Sequence, residues 1–139
     1  MTSRAVATSH KFLTMGLWVA QVLVALVFIA SGLTKLLTSI PELSRMMVWP
    51  GELPVAFVRF IALVDLAGGL GILLPSLTRI RPRLTVWAAL GCVVLQLLAI
   101  AFHASRGELM VLPLNLVLLP LAIFVLWGRA KRVPIPARA

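Results

Sequence analysis

One carboxylate, one ammonium, one imidazole and two side-chain amides stand inside otherwise apolar runs of this chain. Asp65 falls near the middle of one run, Lys35 at the end of another, Gln96 and His103 seven residues apart on a third, and Asn115 near the start of a fourth. An ionisable group at the centre of a bilayer costs roughly 2.5–3.5 kcal/mol on insertion scales, so each requires a partner or a use. Phe28, Gly32 and Lys35 share one helical stripe, and Asp65 sits one turn before Gly68 and Gly69, whose missing side chains leave room. Asp65 is therefore expected to face Lys35, with Gln96, His103 and Asn115 closing the other side. Arg59 stands six residues before Asp65, about 9 Å along a helix and about 120° around it, so the two are poor partners. Arg59 is a possible additional member of the site or a side chain that snorkels to the headgroups. An acid, one or two bases, an imidazole and two amides in a dry pocket suit an amphipathic molecule with carbonyl or hydroxyl groups, such as a quinone. Phe28 would stack on its ring.

Other chemistries find no residues. The chain has 2 His, His10 and His103, which fall on opposite sides of the bilayer and cannot jointly ligate a haem. No His, Cys and carboxylate group has metal spacing, and no nucleotide loop or nucleophile motif is present. The single Cys92 excludes an intramolecular disulfide or a CxxC redox pair. Haem, metal and nucleotide are not expected, and whether the chain turns over a substrate is left open.

The elements that must position these residues are four stretches, Gly16 to Leu37, Val55 to Leu74, Leu84 to Phe102 and Leu109 to Trp127, each long enough to cross a bilayer as a helix. With 61% hydrophobic and 12% charged residues and a mean hydropathy of +1.07, the chain reads as an all-α integral membrane four-helix bundle. A net charge of +9 would point to nucleic acid in a soluble protein, but here the charges sit in the connections. Arg4 and Lys11 precede span one, Arg79, Arg81 and Arg83 separate spans two and three, and Arg129, Lys131, Arg132 and Arg138 follow span four, with no acid among them. The positive-inside rule then predicts both termini in the cytoplasm, with residues 1–15 a cytoplasmic segment, 16–127 the membrane domain and 128–139 a basic cytoplasmic tail. Trp18, Trp87 and Trp127 fall at the predicted inner boundary as an aromatic belt.

The first outer loop holds Ile40, Leu43 and Met47 at helical spacing after Ser39 and Pro41, which predicts a short interfacial helix whose Met46, Met47 and Trp49 dip toward lipid. Pro75 to Arg83 reads as a rigid inner loop. Pro113 and Pro120 are both expected to interrupt span four. Small residues on span two (Ala67, Gly68, Gly69, Gly71) and span three (Ala88, Ala89, Gly91, Cys92) read as packing faces. All strongly polar groups within the spans are assigned to the outer half or midplane, and the inner half reads as hydrocarbon and Trp.

At these residues the chain resembles the DoxX-like family of small four-helix bacterial membrane proteins. Phe28-x-x-x-Gly32-x-x-Lys35-Leu36 is similar to its first-helix signature, and Arg59, Asp65, Gly69, Leu74 and Pro75 follow its second-helix run. Ala101-x-His103, Gly107-Glu108, Asn115 and Gly128-Arg129 resemble its second hairpin, so the likeness covers roughly Val19 to Arg129. Asp65 departs from the pattern, which usually has Glu; the carboxylate is kept but retracted by one methylene. The resemblance implies a bundle in the bacterial cytoplasmic membrane, with namesakes associated with thiosulfate:quinone oxidoreductase and relatives in membrane redox assemblies.

Three functions are consistent with these features. The chain is a quinone-linked or redox-associated subunit whose partner protein supplies electrons, since it has no redox cofactor motif of its own. Alternatively it is a non-enzymatic accessory subunit of a membrane assembly or a homo-oligomer, or a small transporter. Membrane lipids are expected partners in every case, and nucleic acid in none.

Overall fold

In a computed structural model describing residues 3–139, every regular element is helical. Four helices, α1 (Ser3–Leu37), α3 (Val55–Thr78), α4 (Arg83–Ser105) and α5 (Leu112–Trp127), form the body, and a short α2 (Ile40–Met46) crosses one end. The four long segments Ser3–Leu37, Val55–Thr78, Arg83–Ser105 and Leu112–Arg132 are long and apolar enough to cross a membrane. The 24 residues of α3 rise about 36 Å, enough for the roughly 30 Å hydrocarbon core. Large apolar side chains cover the outside, as a lipid solvent requires: Phe60, Leu98 and Trp87 are among those left exposed.

The helices close a ring in which α1 packs on α3, α3 on α4, α4 on α5 and α5 back on α1. The interior is filled by Val24, Ala25, Phe28, Ile72, Ala89, Cys92, Leu118, Ala122 and Val125. Hydrocarbon does not drive helices together in lipid, so approach depends on small residues. At Gly32 an added Cβ would stand 2.7 Å from the Ala62 carbonyl oxygen, and at Gly69 2.9 Å from that of Ala25. The α1–α3 seam is thus closed backbone to backbone, which fixes the register of Lys35 against Asp65.

Helix α1 begins at Ser3, so it projects beyond the bundle before its first buried residue, Leu17. Several local expectations are corrected. Helix α3 runs through Pro75 to Thr78, leaving only residues 79–82 as the connection to α4, with Arg79 and Arg81 both at positive φ. Pro113 lies in the first turn of α5, where a missing N–H is already unpaired, so only Pro120 sits inside the helix. The chain does form α2, but Trp49 is buried with Leu43 and Val58 and meets Phe102 edge to face at 6.2 Å. Met47 packs against the same cluster while Met46 is exposed, so Trp49 and Met47 seal the bundle end rather than reach into lipid. Beyond α5 the chain continues as a π-helical turn, Gly128–Arg132.

Candidate functional site

Lys35 and Asp65 meet across the α1–α3 seam, with Lys35 Nζ 2.8 Å from Asp65 Oδ2 and both residues buried. Ser31, one turn before Lys35, donates from Oγ to the same carboxylate oxygen at 3.0 Å and accepts from Lys35 Nζ. Arg59 forms no hydrogen bond or ion pair with Asp65; its Nη1 donates to the backbone carbonyls of Lys35 and Thr38. Those carbonyls belong to the unpaired C-terminal turn of α1, so Arg59 caps that helix instead of snorkelling. Charge, hydroxyl and cap together hold the pair in one geometry.

One turn deeper, a groove of about 240 Å³ runs between α3 and α4, lined by Phe28, Ala67, Gly68, Gly91, Cys92 and Leu95 among others. Gly68 creates part of it, since an added Cβ would lie 3.1 Å from Cys92 Sγ and 3.3 Å from Phe28 Cδ1. Gly91 creates more, because no atom lies within 4 Å of where its Cβ would be. Exposed Ala67 and Gly91 leave the groove open on the lipid side. Gln96 stands one turn from Cys92 on the same buried face of α4, and its Oε1 has no hydrogen-bond partner among the described residues. A buried amide oxygen left unpaired costs about 1–3 kcal/mol, so the position invites a donor. Asn115 is buried on α5.

His103 belongs to a different group. Gly107 takes φ 70° after α4, and the N–H groups of Gly107 and Glu108 return to the carbonyls of Ala104 and His103. This left-handed helix cap folds Glu108 back over the ring, where its Oε2 lies 2.6 Å from His103 Nδ1. Arg106 Nε donates to Glu108 at 2.8 Å and its Nη2 pairs with Glu52, tying the α4–α5 turn to the α2–α3 connection. Burial opposes the Glu108 carboxylate, but the hydrogen bonds from Arg106 and His103 outweigh it and hold its pKa below the ordinary value. The six sequence candidates thus resolve into a Lys35–Asp65 pair, a groove wall at Phe28, two buried amides, and a histidine in a surface network. Of the six, Phe28 alone lines the groove.

The opposite half of the bundle is not plain hydrocarbon. Gln21, fully buried, donates from Nε2 to the Ile72 carbonyl at 2.8 Å and to Ser76 Oγ at 3.0 Å. Ser76 shares a 2.7 Å hydrogen bond with Thr85, and Arg129 Nε donates to Gln21 Oε1 at 2.6 Å. This network joins α1, α3, α4 and the π-helical turn. The signal for it was Gln21 itself, an amide inside a span, and Arg129, which counted only as a topology charge. An apolar layer of Val24, Ala25, Ile72, Ala89 and Ala122 separates this network from the Lys35–Asp65 pair. No group of three or more His, Cys, Asp or Glu able to hold a metal occurs among the described residues.

Four apolar spanning helices around a buried ion pair define a multi-pass helical membrane protein. The sequence profile of the DoxX-like family matches residues 19–125, and the chain belongs to that family. No curated protein and no solved structure matches it.

Proposed function

We propose that this DoxX-like protein is a quinone-linked, redox-associated membrane subunit that holds the ring of a quinone or quinol beside α3 and α4. The observation carrying this reading is the lipid-open groove at Phe28, Gly68 and Gly91 with an unpaired buried Gln96 Oε1 one turn away. At about 240 Å³ it falls below the roughly 300–1,000 Å³ of pockets that enclose whole drug-sized ligands. It therefore suits a ring headgroup whose isoprenoid tail stays in the bilayer. In this reading a quinol hydroxyl donates to Gln96 Oε1, Phe28 packs against the ring, and Lys35 and Asp65 form the polar boundary on the α2 side. Asn115 is buried on α5, and His103 pairs with Glu108 at the end of α4. The chain contributes binding and orientation, and a partner protein of the bacterial cytoplasmic membrane supplies the electrons.

Quinone content tests the reading. Protein purified in mild detergent is expected to retain quinone, and Gly91→Leu to lose it, because Gly91 lines the groove and a Cβ added there enters open space. A wild-type protein free of quinone, or a Gly91→Leu variant that retains it, overturns the proposal and leaves an accessory subunit as the better account.

A further inference from the structure

We propose that the end of the bundle carrying the chain termini contains a phosphate-binding site built on Arg129. Arg129 is buried, 4% exposed as a residue, and its Nη2 has no hydrogen-bond partner among the described residues. Its Nε donates to Gln21 Oε1 at 2.6 Å and its Nη1 to the Val133 carbonyl at 3.2 Å. Arg129 forms no ion pair among the described residues, whose pairs are Lys35–Asp65, His103–Glu108 and Arg106 with Glu52 and Glu108. The chain has only 4 acids, Glu42, Glu52, Asp65 and Glu108, and none lies at this end. A guanidinium stays charged in proteins, and a buried charge without a counter-charge is strongly unfavourable. An external anion supplies what the chain lacks.

The space for it exists. A cavity of about 40 Å³ is lined by Arg129, Ser76, Arg83, Thr85 and the returning tail at Pro134 and Ile135. That is several times the roughly 10–15 Å³ that admits a single water molecule. Arg83 is the first residue of the 23-residue α4, so the positive end of that helix faces the same cavity. The tail is held over it by Arg138 N–H on the Arg79 carbonyl at 2.9 Å and Arg79 Nε on the Pro136 carbonyl at 3.1 Å. Depth favours a headgroup. Arg129 lies 4.9 Å over the Trp18 ring and Arg132 5.6 Å over Trp127, and tryptophan rings concentrate at the membrane–water interface. A basic pocket between helices at that level is chemically matched to the phosphate of an anionic phospholipid, and free phosphate presents the same oxyanion.

Native mass spectrometry of the full chain, released from detergent in the presence of phosphatidylglycerol, phosphatidylcholine or inorganic phosphate, distinguishes the sources. A single retained phosphatidylglycerol, exceeding phosphatidylcholine, assigns the site to an anionic headgroup; a retained phosphate displaced by neither lipid assigns it to the free ion. In both cases Arg83→Gln, an exposed position that leaves the Gln21 network intact, should weaken retention about fivefold, the worth of one basic residue near an anionic lipid surface. Arg129→Gln should abolish it. Absence of any single-occupancy adduct, or adducts indifferent to Arg83→Gln, overturns the proposal, the latter marking ordinary lipid around the bundle.

Discussion

Replacing Lys35 by Met, Asp65 by Asn, or both, probes the ion pair at the centre of the bundle. Its side chains are 11% and 9% exposed and its N–O distance is 2.8 Å, so little solvent screens it. Removing one partner of a buried pair costs about 3–5 kcal/mol, because the survivor stays desolvated without compensation. In Lys35→Met the carboxylate keeps only the Ser31 hydroxyl at 3.0 Å; in Asp65→Asn the ammonium keeps only Ser31 and faces a neutral amide. Each single variant should therefore lose about 3–5 kcal/mol of unfolding free energy. The double variant leaves no uncompensated charge, and its loss should fall short of the sum by at least about 2 kcal/mol, within the range of coupling between contacting residues. Ser31→Ala, which leaves the charges paired, should lose only about 1–2 kcal/mol. Unfolding in mixed micelles, followed by circular dichroism against denaturing detergent fraction, measures all four. Additive losses within about 0.5 kcal/mol would show that the two residues do not act together and would refute the seam assignment.

Further expectations follow from the same geometry. Gly69→Ala should destabilise the bundle by about 1–3 kcal/mol by overpacking against the Ala25 carbonyl, whereas Gly91→Ala should leave its melting temperature unchanged or raise it; equal effects in thermal scans would contradict the packing described. The Glu108 pKa is lowered in the fold, so its contribution is fully present above its ordinary value of 4.5 and is lost as pH falls through the lower folded value. Wild type should accordingly lose its stability advantage over Glu108→Gln on acidification through that window, and a pH-independent difference between the two would count against the Arg106–Glu108–His103 network. For topology, a cysteine at exposed Glu42 in a Cys92→Ala background should react with an impermeant thiol reagent in intact cells, and one at exposed Ala130 should not; the reverse pattern would invert the bundle.

The spans were legible because a run of apolar residues long enough to cross a bilayer has few other folded solutions. Lys35 opposite Asp65 was legible for a related reason: the Phe28–Gly32–Lys35 stripe and the glycines after Asp65 put two costly charges on facing small-residue surfaces. The His103–Glu108 pair was not legible, because the seven-residue spacing of Gln96 and His103 describes a helix face but not the cap that follows it. The deciding residue was Gly107, whose positive φ turns Glu108 back onto the ring. Trp49 and Met47 looked lipid-facing because an apolar side chain in a loop does not reveal whether protein or bilayer will cover it. Arg129 was hidden by a backbone irregularity. The π-helical turn at Gly128–Arg132, where any side chain at 128 would collide with Leu17, rotates Arg129 inward to meet Gln21, and a regular period does not report that rotation.

Photo-crosslinking with an azido-quinone, followed by peptide mapping of the protein in membranes, tests quinone binding at this groove most directly. Adducts are expected on the segments around Ala67–Gly68 and Gly91–Leu95, suppressed by excess unlabelled quinone and absent in Gly91→Leu. Labelling spread over the lipid-facing surface, or unchanged when the groove is filled, would contradict the account.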